Sequence, residues 1–113
     1  MKFDVLEKGD VTVIQLSGRI TLGSGDVKLR DKLVEELEKG KKKIVLDLGE
    51  VSFMDSAGLG ELVAAYTSAK RHGAQVKLSN LTKKIDDLLD ITRLSSVFET
   101  YTSTDEAVKS FKG

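Results

Sequence analysis

The sequence predicts a single α/β domain: a mixed sheet of four to five strands with about four helices mainly on one face. Three observations lead there. Short apolar runs rich in β-branched residues alternate with stretches whose apolar residues recur at helical spacing. The 113 residues, 40% of them hydrophobic, suit one domain with a real core, expected over 1–113. No repeat or linker breaks the alternation, and strand–helix–strand units join parallel strands by right-handed crossovers.

Residues 3–6 and 11–16 are apolar-rich runs separated by Glu7-Lys8-Gly9-Asp10, a turn of hairpin length. They read as an antiparallel hairpin. Residues 17–25 read as a loop holding Gly18, Gly23 and Gly25. Residues 26–39 are amphipathic, with Leu29, Leu33, Val34 and Leu37 as the apolar stripe. Lys28, Asp31, Lys32, Glu35 and Glu36 form the wet face, where Lys32 attracts Glu35 and Glu36. Gly40 stops this helix. Lys41-Lys42-Lys43 reads as a connector beside the helix's negative end rather than a nucleic-acid patch. Residues 44–48 form a central buried strand bounded by the lysines and Gly49.

Leu59, Leu62, Val63 and Tyr66 then set a helix from Ser56 to about His72, stopped by Gly73. Residues 74–78 give a third parallel-type strand. Ser79-Asn80-Leu81-Thr82 is a turn with several candidate caps. Ile85, Leu88 and Leu89 mark a third helix with Asp86 and Asp87 outside. Residues 91–96 connect it to a short edge strand within 97–101. Thr104 is expected to cap a last helix that turns Ala107, Val108 and Phe111 inward.

The polar pair Asp55-Ser56 falls where the central strand hands over to its helix. Either side chain can accept hydrogen bonds from the free N–H groups of a helix start, so one is the cap and the other its exposed neighbour. Gly58 and Gly60 cost the first turn roughly 1 kcal/mol each. Their expected use is to clear side chains so that another surface can approach the Ser56 hydroxyl.

The run Val45-Leu46-Asp47-Leu48 through Phe53-Met54-Asp55-Ser56-Ala57-Gly58-Leu59-Gly60 closely resembles the signature of the anti-sigma factor antagonist, or STAS domain, family. Gly18-Arg19-Ile20, Leu94-Ser95-Ser96-Val97-Phe98 and Thr104-Asp105-Glu106-Ala107-Val108 extend the likeness over nearly the whole chain. The resemblance implies that Ser56 is phosphorylated by a kinase that is itself an anti-sigma factor. It implies that the unphosphorylated form binds that kinase and frees a sigma factor, and that a phosphatase reverses the modification. Asp55, Ser56, Ala57, Gly58, Leu59 and Gly60 would then meet the partner, with Gly23 and Ser24 beside them. Asp55 would assist recognition or phosphoryl transfer, cap the helix, or do both.

Composition narrows the alternatives. Lys+Arg and Asp+Glu are equal at 18 each, which removes the electrostatic case for nucleic acid. There is no Cys, hence no thiol nucleophile or thiolate metal site. His72, the one histidine, falls about 24 Å along the helix from Ser56, too far to act as its base. An enzyme is not expected, nor a metal, a cofactor or a membrane contact, and the expected location is the cytoplasm. Gly23-Ser24-Gly25 sits where a loop can cradle phosphate, but no Gly-Lys-Ser/Thr follows it. A nucleotide- or phosphate-binding module is therefore one alternative to the antagonist reading. A scaffold subunit of a stress-sensing assembly is the other.

Overall fold

A computed structural model describes residues 2–20 and 29–111. Chain order is β1 (Lys2–Lys8), β2 (Val11–Ile20), α1 (Leu29–Glu38), β3 (Lys43–Met54), α2 (Ser56–Arg71), β4 (Gln75–Ser79), α3 (Lys83–Ile91), a 3-10 turn (Leu94–Ser96), β5 (Glu99–Tyr101) and α4 (Thr104–Lys109). The five strands lie side by side in chain order. β1 runs antiparallel to β2, and every other neighbouring pair is parallel.

Period-two alternation divides the sheet into two faces. Ile14, Leu16, Ile44, Leu46, Val76 and Leu78 pack against Leu33 and Leu37 of α1, Leu62 and Ala65 of α2, and Ile85 and Leu89 of α3. On the other face Val11, Val13 and Val45 meet Ala107 and Phe111 of α4. Three helices thus cover one face and one covers the other, the mixed sheet that the alternation predicts. Gly40 at φ +89° and Gly73 at φ +71° end α1 and α2 in the left-handed region that a side chain disfavours.

β2 and β3 are longer than the sequence suggests. β2 continues to Ile20, and β3 passes through Gly49 to Met54. Their register moves from Gln15↔Asp47 to Ser17↔Glu50 and from Gly18↔Val51 to Arg19↔Phe53. β3 therefore carries an extra residue at two places, and each such bulge bends and twists the strand. At the first of them the Gly49 N–H donates to Asp47 Oδ1 at 3.0 Å. Gly49 marks a bend within the strand rather than its end.

Two polar residues, Glu36 and Thr104, also differ from expectation. Glu36, assigned to the wet face, is only 2% exposed. It lies three residues after Leu33 and seven after Leu29, on the inner edge of α1, and its carboxylate meets Lys39 at 3.1 Å and Lys32 at 3.9 Å. The hydrogen bond to Glu36 holds the Lys39 ammonium above its ordinary pKa. The three lysines after Gly40 hold separate neighbours: Lys41 pairs with Glu7, Lys43 with Asp10, and Lys42 donates to the His72 carbonyl.

Thr104 does not cap α4. Ser103 does, its Oγ accepting from the Glu106 N–H at 3.1 Å. The sheet recruits Thr104 instead: its hydroxyl donates to Asp47 Oδ2 at 3.1 Å, accepts from Asn80 Nδ2 at 3.1 Å, and lies 2.9 Å from Ser79 Oγ. This knot ties α4 to the middle of β3 and the end of β4. Thr104→Val keeps the shape but strands buried partners, so a loss of about 1–2 kcal/mol is expected by urea denaturation.

Candidate functional site

Ile20 pairs with Met54 at the carboxyl edge of the sheet. The chain then leaves β3 through Asp55, which is extended at φ −99°, ψ −174°. The Asp55 N–H donates to the Ile20 carbonyl at 3.4 Å, fixing the exit. Asp55 is the cap: Oδ1 accepts from the Gly58 N–H at 2.8 Å, and its carbonyl accepts from the Leu59 N–H at 2.9 Å. Ser56 is the first helical residue and is exposed. Its hydroxyl has no hydrogen-bond partner among the described residues. The sequence leaves open which of the pair caps α2, and the geometry decides it. Asp55→Ala should cost about 1 kcal/mol in a thermal melt, and Asp55→Asn should restore most of it.

The two glycines of the first turn have different tasks. Gly58 is buried, and a Cβ built on it would lie 1.8 Å from the Ile20 carbonyl oxygen. Gly60 is exposed, with no atom of the described residues within 4 Å of a Cβ built there. Gly60 alone clears the outer surface, while Gly58 lets α2 press against the end of β2. Leu59 is buried in the core and Ala57 is half-buried. The outer surface of this turn therefore comes from Asp55, Ser56, Ala57 and Gly60. Gly58 and Leu59 set its position from within. Gly23 and Ser24 lie outside the described residues.

His72 caps the far end of α2, its Nδ1 lying 2.8 Å from the Ser68 carbonyl. The helix separates it from Ser56, as its spacing predicts. Asp86, Asp87 and Asp90 stand close enough to hold a cation, but all three are exposed and Asp87 pairs with Lys83 at 3.3 Å. That is the ordinary arrangement of a solvated helix face. Phe53, which enters the sequence motif with no surface role assigned, is a large ring that is 40% exposed and has the Arg19 guanidinium 4.7 Å from its centroid. Its sequence signal is slight, because residue order alone does not show that β3 runs on past Gly49 to carry it.

The sequence pattern that defines the STAS domain matches residues 2–107. The chain belongs to the STAS domain family. Among its relatives, the anti-sigma-B factor antagonist of Bacillus subtilis (strain 168) is 33% identical over 106 residues, 94% of this chain and 95% of that one. An anti-sigma factor antagonist from Mycobacterium paratuberculosis shares the fold with a TM-score of 0.86 at 21% identity, covering 99% of this chain and 94% of that one. The Bacillus cell fate determinant SpoIIAA, solved in its phosphorylated form, superposes with a TM-score of 0.72 at 19% identity, covering 98% and 100%. In the STAS frame the Asp55-Ser56 turn stands at the carboxyl edge of a central strand, where open α/β sheets place their binding sites. No helix among the described residues is long and apolar enough to cross a membrane.

Proposed function

We propose that this STAS domain is an anti-sigma factor antagonist switched at Ser56. The unphosphorylated form binds an anti-sigma factor that is also a serine kinase, and the sigma factor is released. Phosphate on Ser56 abolishes that binding, and a phosphatase restores it. The observation that carries the reading is the Ser56 hydroxyl: exposed, without a partner among the described residues, and on a helix start whose cap is supplied by its neighbour Asp55. The kinship with named anti-sigma factor antagonists supports it.

The physical basis of the switch is local. Phosphorylation adds about −1.5 to −2 charges. An exposed helix N-terminus favours negative charge by roughly 0.3–1 kcal/mol. Asp55, one residue away, opposes the phosphate by a screened repulsion of similar size. The fold hardly notices, but an interface does. A partner lying over Gly60 must strip water from the helix end, and a bulky, poorly paired phosphate there costs several kcal/mol. The test is incubation with candidate anti-sigma factor kinases and Mg-ATP, followed by mass mapping. Ser56 should be the modified residue in wild type, and Ser56→Ala should take up no phosphate. Modification elsewhere with Ser56 untouched would overturn the assignment.

A further inference from the structure

β4 ends at Ser79, which pairs with Asp47. Beyond Asp47, β3 runs on to Met54 with a strand neighbour, among the described residues, only on its β2 side. The start of α3 lies along the open side and closes it incompletely. What remains is a cavity of about 150 Å³ with Phe53, Met54, Ile85 and Leu88 as its apolar wall and Lys84 at its rim. It is too small for a nucleotide or other sizeable ligand, whose sites run from about 300 to 1,000 Å³. It suits one large side chain.

Two cations flank this groove. The Arg19 guanidinium stands over Phe53. Lys84, exposed in the first turn of α3, has no carboxylate partner among the described residues, whereas Lys83 beside it is paired with Asp87. Phe53 precedes Ser56 by three residues, at most about 10 Å of extended chain. A standard interface covers about 800 Å² on each partner, a patch on the order of 30 Å across. A protein seated on Ser56 with such a footprint also reaches the groove.

We propose that the β3–α3 groove is an anchor site on the Ser56 docking face, taking one large apolar side chain of the anti-sigma factor, with acidic groups of that partner meeting Arg19 and Lys84. The inference rests on the function proposed above. The groove supplies affinity that does not depend on the serine, while Ser56 supplies the veto.

The test is calorimetric titration of the unphosphorylated protein with the kinase that modifies Ser56 in the assay above. Phe53→Ala should raise Kd about tenfold or more, as truncation of a buried anchor does. Lys84→Glu should raise it about fivefold at low salt, with the difference shrinking as salt is added. Ile91→Ala, at the far end of α3 and 79% exposed, should bind as wild type does. In the phosphorylation assay Phe53→Ala should raise KM and leave kcat unchanged, a split that general destabilisation does not produce. If Phe53→Ala and Lys84→Glu bind normally while Ser56→Asp does not, the groove proposal falls and the switch stands. If Ser56→Asp binds as wild type does, the proposed function falls and the groove proposal with it. A wild-type dimer that Phe53→Ala dissolves would make the occupant a second copy of this chain, and that too overturns the proposal.

Discussion

Ser56→Asp is expected to fold as wild type does and to bind the anti-sigma factor about a thousandfold more weakly. The first half follows from where the side chain sits. Ser56 is exposed and takes no part in capping, which belongs to Asp55. A carboxylate at the first helical position is welcomed by the helix dipole, so the melting temperature should move by no more than a few degrees. The second half follows from desolvation. A thousandfold loss corresponds to about 4 kcal/mol, within what one badly paired charge costs when an interface closes over it. Ser56→Ala supplies the contrast, since it removes the acceptor of phosphate without adding charge and should bind at close to wild-type strength. Thermal melts and calorimetry on the three proteins check both halves. Tight binding by the aspartate variant would leave the serine with no role as a switch.

The second large effect is a divergence between two glycines two residues apart. Gly58→Ala places a methyl group 1.8 Å from the Ile20 carbonyl oxygen and 2.7 Å from its carbonyl carbon. Both are backbone atoms at the end of a paired strand, so neither can step aside as a flexible side chain would. Relief requires α2 to move off β2, which also pulls on the bond from the Asp55 N–H to Ile20. A net loss of about 2–3 kcal/mol is expected even after the better helix propensity of alanine, or a fall in Tm of roughly 10 °C. Gly60→Ala meets no atom of the described residues and should gain about 0.5–1 kcal/mol for the same propensity reason. If both variants melt alike, the packing of α2 against Ile20 is not what requires a glycine there.

Much of this arrangement can be read from residue order, because it depends on signals internal to each segment. The helix stops at Gly40 and Gly73, the apolar stripe of α2 and the strand-to-helix turn at Asp55-Ser56 all need nothing beyond a few neighbouring residues. What escapes is whatever depends on a second segment. The bulges in β3 exist only relative to β2, so Gly49 looks like an end when it is a bend. Glu36 looks wet by its chemistry, yet the rotation of α1 turns it inward with lysines to hold it. Gly58 and Gly60 are indistinguishable as letters, and only Ile20 tells them apart. Thr102, Ser103 and Thr104 are all plausible caps, and Asp47, far away in sequence, claims the third. Phe53 is left partly uncovered because β4 stops at Ser79, a fact that lies outside its own strand.

The side-by-side strand order has a kinetic consequence. Because spatial order matches chain order, no strand has to slip between two that are already joined. As synthesis proceeds from the N-terminus, each new strand finds its neighbour waiting and adds to an exposed margin. The three parallel pairings each join residues more than twenty positions apart, Ile44 and Val76 for example, so each must wait for its crossover to form. Growth can advance one crossover at a time, and α4 arrives last to cover the second face.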